Sequence, residues 1–85
     1  MKIRFCSVAT ACGNVWQAEC NGLHLEFFVE TDTMHAIGEN GLHEEFRLES
    51  CCLVSRGGVC LTDDWSDADF AAVEKGIRSV KEVVK

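Results

Sequence analysis

Apolar and polar residues alternate along the chain as far as Thr62 and then change to a three-and-four spacing. Alternation marks strands with one buried face, and the wider spacing marks one stripe of a helix. Asn21-Gly22 lies between two alternating segments. It predicts a two-residue hairpin, because both central residues must take positive φ. The turn fixes a register from about Val15 to Glu30. Cys20 then faces Leu23, Ala18 faces Leu25 and Trp16 faces Phe27 on one side. Gln17, Glu19, His24, Glu26, Phe28 and Glu30 lie on the other.

The flanking segments extend this pattern. Lys2 to Thr10 reads as a first strand with Ile3 and Phe5 on one face, followed by a turn over Ala11 to Asn14. Met34 to Ile37 reads as a short strand or an irregular crossing, ahead of a polar turn at Gly38-Glu39-Asn40-Gly41. Leu42 to Val54 is the longest alternating segment and predicts one half-buried strand. Leu42, Phe46, Leu48, Cys52 and Val54 are placed inside, and His43, Glu45, Arg47 and Glu49 outside. Ser55 to Gly58 reads as a turn and Val59 to Thr62 as a returning strand.

Phe70, Val73, Ile77, Val80 and Val84 form a helical stripe. Ser66 is placed as N-cap, with Asp69 completing a capping box and Trp65 stapling to Phe70. Asp67 and Asp69 suit the positive helix start, and Lys81 and Lys85 suit its negative end. Gly76, unfavourable in a helix, is expected to admit a closely approaching strand. The expected fold is α+β. It comprises four or five antiparallel strands within residues 2–62 and one helix over about 67–84, packed on one face. Residues 1–85 make a single domain.

Size and charge narrow the functions. A chain of 85 residues buries only about 60–65% of its unfolded surface and has no room for a deep cleft. The formal net charge is −6, and from Gln17 to Glu49 there are eight carboxylates against one basic residue, Arg47. Such a field repels nucleic acid and lipid headgroups and attracts basic protein surfaces. Met1-Lys2-Ile3-Arg4-Phe5 begins a strand rather than a secretory signal, and no apolar run approaches a membrane span. The expected location is the cytoplasm, where cysteines stay reduced.

Cys6, Cys12, Cys20, Cys51, Cys52 and Cys60 contain no Cys-x-x-Cys pair, and nothing groups them with His24, His35 or His43. They read as packing residues, so neither a metal nor another cofactor is expected. Nor is catalysis. No Gly-x-Ser-x-Gly elbow occurs, Arg56-Gly57-Gly58 is too short for a phosphate loop, and His43-Glu44-Glu45 lacks a second histidine four residues on. The open sheet face is the better candidate. Glu19, Glu26, Glu30, Glu45 and Glu49 would line it, with Phe28 as an apolar anchor. Residues two apart on a strand are separated by about 6.5–7 Å, near the phosphate spacing of a DNA strand. A row of carboxylates on that spacing could occupy a groove built for nucleic acid.

The run FRLESCCLVSRGGVCLTDDWSDADFAAVEKGI, Phe46 to Ile77, resembles the C-terminal half of small acidic phage-encoded proteins. Gly57, Gly58, Thr62, Ser66 and the helix stripe carry the likeness. Many proteins of that kind inhibit host defence, and the anti-CRISPR proteins are the prominent group. The resemblance implies a protein-binding inhibitor of phage origin. Its partner would be the basic surface of a nucleic-acid-handling complex such as a CRISPR-Cas effector, without direct contact to nucleic acid or membrane. The alternatives are a cysteine-based metal or redox module, and a small assembly homodimer paired through an exposed edge strand.

Overall fold

The structure is a computed structural model that describes residues 2–11 and 13–84; the thiol of Cys12 therefore lies outside the described residues. Six antiparallel strands follow one another as a meander: β1 (Cys6–Thr10), β2 (Gly13–Cys20), β3 (Leu23–Phe28), β4 (Thr33–Ile37), β5 (His43–Glu49) and β6 (Cys52–Gly58). A short 3₁₀ turn, Glu39–Gly41, links β4 to β5, and the helix α1 (Asp67–Val83) crosses one face of the sheet.

The first hairpin has the expected register. Asn21 and Gly22 take φ of 52° and 82°, and Trp16, Ala18 and Cys20 face Phe27, Leu25 and Leu23. Met34 to Ile37 belongs to the sheet as β4. The second half of the sheet differs from expectation. Ser50 and Cys51 take φ of 51° and 67° and turn the chain back on itself. Leu48 therefore pairs with Leu53, and Arg47 with Val54. A two-residue turn reverses the alternation, so Leu53 rather than Cys52 and Val54 packs against the core. The predicted turn at Ser55–Gly58 is instead strand. It contains a bulge, since Phe46 faces Ser55 while Glu45 faces Gly57, leaving Arg56 unmatched. Val59 to Thr62 is irregular rather than strand. With β4 included the sheet has six strands, against the four or five expected.

Leu25, Phe27, Met34, Phe46, Val73 and Ile77 form the fully buried centre. Each contributes about 1.5–3 kcal/mol through removal from water. Phe5 packs edge-on to Phe27 and Phe46 to Phe70, with ring centroids 6.5 and 6.2 Å apart. Leu42, expected inside, is 48% exposed. Its place on the helix-facing side of β5 is followed by Glu44, which is only 3% exposed. That carboxylate accepts hydrogen bonds from Ser55 Oγ (2.7 Å), Leu61 N (3.0 Å) and Thr62 Oγ1 (3.0 Å).

The capping box is present. Asp69 N donates to Ser66 Oγ at 3.2 Å, and Ser66 N to Asp69 Oδ2 at 2.9 Å. Trp65 packs at a tilt against Phe70, ring centroids 5.0 Å apart, as a staple should. The far end of the helix is tied down by Lys81 Nζ, 2.8 Å from Asp32 Oδ1 in the β3–β4 turn. Ile3 and Phe5 are buried ahead of β1, where they pass beneath Gly76. A Cβ at position 76 would lie 2.8 Å from the Ile3 carbonyl oxygen and 3.2 Å from the Phe5 ring. Gly76→Ala should therefore destabilise the fold by about 1–3 kcal/mol through overpacking, although alanine is the better helix former. Denaturant unfolding measures this. A stabilised variant would show that residues 2–5 are free to move away.

Candidate functional site

The helix leaves the other side of the sheet open. Across it run three rows. Glu19, His24, Ile37 and His43 form the first; Gln17, Glu26, His35 and Glu45 the second; Phe28, Thr33, Arg47 and Val54 the third. Glu19, Glu26, Glu45 and Glu49 thus share one face, and Phe28 lies half-buried among them. Glu30 does not join the ladder. It follows the end of β3, in the turn to β4. There it lines a pocket of about 160 Å³ with Asn14, Val15, Phe28, Val29 and Thr31. The register argument extended β3 two residues too far.

The carboxylates on this face are not a bare row. His24 Nε2 stands 3.6 Å from Glu26 Oε2, and His35 Nε2 stands 3.6 Å from Glu45 Oε1. Arg56, from the β6 bulge, pairs with Glu49. Four carboxylates are thereby set against Arg47 and Arg56. The aromatic side chains form a strip: Phe28 meets His35 at 5.3 Å edge-on, and His35 meets His43 at 5.4 Å. Carboxylate alternates with imidazole across the second row, and along β3 and β5 the carboxylates are separated by His24, Phe28, His43 and Arg47, so no strand carries them at successive two-residue steps.

A denser concentration of acid lies at one end of the sheet. In an antiparallel meander every second connection falls on the same end. The β2–β3 turn, the β4–β5 connection and the segment leading from β6 into α1 all meet there. Asn21 Nδ2 donates to Asp69 Oδ2 at 3.1 Å, and Val59 N donates to His43 O at 3.0 Å. A Cβ on Gly38 would touch Leu61 at 3.4 Å and Leu23 at 3.6 Å. This gathers Glu19, Glu39, Asp63, Asp64, Asp67 and Asp69. Segments 19–24, 37–43 and 59–69 contain no lysine or arginine. Of the helix cations, Lys75 lies at its middle, and Arg78 and Lys81 lie toward its other end. Sequence reasoning treated Asp63-Asp64 as turn solvation and Asp67 and Asp69 as helix-start residues. The missing signal was the parity of the connections, which needs the correct strand count.

Hydrogen bonds shift two groups at this end. The Ser66 backbone N–H, aided by the Asn21 amide and the Ser66 hydroxyl, holds the Asp69 carboxyl below the usual carboxylate range. Cys60 donates to Asp63 Oδ1 at 3.1 Å, and this bond raises its thiol above the ordinary value. Burial, followed by the nearby Asp69 charge, raises Cys20. Cys6, Cys51 and Cys52 are exposed on β1 and around the β5–β6 turn. Among the described residues no three His, Cys, Asp or Glu side chains stand where they could hold a metal ion. No helix of the described residues is long and apolar enough to cross a membrane.

No protein-family model matches the chain, and no curated protein or solved structure matches it.

The lowered Asp69 value has a defined consequence for stability. A group depressed in the folded state stabilises fully above its unfolded value, near 3.9, and loses that contribution as pH falls through the lower folded value. Asp69→Asn should remove this part of the acid limb, while the difference in thermal midpoint between variant and wild type stays constant above about pH 5. Thermal melts from neutral to strongly acid pH check it. An unchanged acid limb in the variant would show that the cap is not formed in solution.

Proposed function

We propose that this protein is a non-enzymatic, protein-binding inhibitor that docks on a cationic surface. The observation that carries the reading is the segregation of charge. Six carboxylates gather at one end without an arginine or lysine in the segments that supply them, and Glu19 continues them onto the open sheet face. A one-signed end of this kind steers association with a basic partner and repels acidic ones. The open face supplies contact beside it. Glu26, Glu45 and Glu49 form its charged positions, Phe28 its apolar anchor, and Glu30 the rim of the Phe28 pocket.

The kind of partner follows from the resemblance of Phe46–Ile77 to phage-encoded proteins. It is a nucleic-acid-handling complex of the host, with a CRISPR-Cas effector as the leading case, met in the host cytoplasm. Arginine- and lysine-rich grooves that hold nucleic acid are the surfaces best matched to this charge. Arg56 beside Glu49 and Arg47 on the open face, against no lysine or arginine in the segments of the turn end, support assigning the stronger steering to that end. The open face then serves chiefly for shape and register.

Affinity capture from nuclease-treated host lysate, followed by mass spectrometry, should recover a nucleic-acid-binding complex. Affinity for the recovered complex should fall at least tenfold between about 50 and 200 mM salt. Charge reversal by Asp63→Lys with Asp64→Lys should weaken it at least as much, and Glu45→Lys with Glu49→Lys by a smaller factor. Glu82→Lys, on the helix, serves as control. Binding indifferent to salt and to these reversals overturns the reading.

A further inference from the structure

We infer that the cleft between residues 2–5 and α1 is a binding site for a free nucleoside phosphate. Residues 2–5 lie against the helix, with Ile3 and Phe5 buried and Lys2 and Arg4 exposed. The missing side chain at Gly76 permits this, since a Cβ there would meet the Ile3 carbonyl oxygen. Two cavities flank the contact and share Lys2, Ile3, Gly76 and Ser79. One, of about 360 Å³, is completed by Arg4, Phe5, Trp16, Val80 and Val83. The other, of about 240 Å³, is completed by Ala72 and Lys75. Ile3, Phe5 and Val80 belong to the core, so these walls are set by the fold itself.

Charge selects an anion. Lys2, Arg4 and Lys75 are three of the chain's 8 lysines and arginines, and none of its 14 aspartates and glutamates lines either cavity. The helix turns its own acids elsewhere. Glu74 accepts the Leu53 N–H from β6, and Glu82 lines a different cavity with Asp32 and Cys51. Among the described residues the ion pairs use His24, His35, Arg56 and Lys81, so the three cations of the cleft have no carboxylate partner. A single carboxylate would match only one of them. A phosphate monoester carries about −1.5 to −2 at pH 7 and offers three acceptor oxygens. Beside Lys2, which lines both cavities, it would have Arg4 on one side and Lys75 on the other.

The larger cavity adds an aromatic wall. Trp16, half-buried, stands there with Phe5 and Val80, and Val83 beside them is 74% exposed. Its volume falls within the roughly 300–1,000 Å³ of small-molecule sites. A nucleobase covers a wall of this kind, because every base has a face that stacks on an aromatic side chain. Cations beside an aromatic surface therefore fit a phosphate together with its base. A nucleic-acid strand carries the same chemistry but brings a charge at every step, and a chain at −6 repels it. A free nucleotide meets the cations of the cleft with far less of that repulsion.

The inference is independent of the cationic-partner reading, because its probe is a small anion rather than a protein. Adenosine 5′-diphosphate, titrated into the isotope-labelled protein, should shift the amide signals of residues 2–5 and 75–83 and the indole N–H of Trp16. Adenosine alone and inorganic phosphate alone should each bind about tenfold more weakly, since each engages only part of the cleft. Lys2→Gln with Lys75→Gln, both at exposed positions, should weaken the diphosphate about tenfold. Trp16→Phe should weaken the diphosphate and leave inorganic phosphate unchanged, a difference that a purely structural role for Trp16 would not produce. Circular dichroism confirms that each variant is folded. Absence of any shift at millimolar diphosphate overturns the inference. So does inorganic phosphate that binds as tightly as the nucleotide, which would leave a simple anion patch. A single-stranded oligonucleotide that binds more tightly than the diphosphate would also overturn it, by making the cleft a nucleic-acid contact.

Discussion

The buried carboxylate of Glu44 decides where the chain leaves the sheet. A carboxyl group at 3% exposure is tolerated only when its oxygens are hydrogen-bonded, since burying a polar group without partners costs several kcal/mol. Here Ser55, Leu61 and Thr62 supply those bonds. One donor comes from the neighbouring strand and two from the segment after it, so the carboxylate binds the end of β6 to the start of the crossing. The position would otherwise take an apolar side chain, as the alternation of β5 demands. The substitution of acid for hydrocarbon exchanges a packed contact for a directional one. It makes the route of residues 59–62 specific, where hydrophobic contact alone would not.

The seating of the helix follows from that route. Once Thr62 is fixed, Trp65 N donates to its carbonyl at 3.0 Å, and the staple and capping box form within the next turn. The helix start is then held against the β2–β3 turn by Asn21, and its end against the β3–β4 turn by Lys81. A helix held at both ends covers one face of the sheet and leaves the other open. Its charge order, acidic first and basic last, suits its own dipole. Because the start of the helix meets three sheet connections, the acids that suit the dipole join those of Glu19 and Glu39. The acidic end is therefore partly a by-product of helix capping, and Asp69 serves both.

Those parts of the fold that depend on short-range chemistry were legible in the sequence. Asn21-Gly22 announces its turn because asparagine and glycine tolerate positive φ. The helix declares its stripe, cap and staple together. Gly76 marks a close approach, although the approaching chain is the segment before β1 rather than a strand. Ser50-Cys51 was not legible, because neither residue favours positive φ, and the alternation of Leu48 with Cys52 and Val54 continues across it. Tertiary pairing of β5 with β6 overrides local preference at that turn. Gly57-Gly58 then misled in the opposite direction, since glycine marks a bulge as readily as a turn. The reading of Met34 to Ile37 as either strand or irregular crossing left the count of strands open, and the count fixes which connections share an end. The open face was consequently legible, while the acidic end was not. Nothing local showed that Ser55, Leu61 and Thr62 would meet Glu44.

A steering end gains from every added carboxylate that is kept with the others. In a chain of 85 residues at −6, that requires part of the acid to be confined. The meander accomplishes it by geometry. β1 lies at one flank of the sheet, and the residues of the acidic end come from connections and from the helix start. Only Glu19 belongs to a strand near that flank, and it stands beyond the last residue of β2 that pairs with β1.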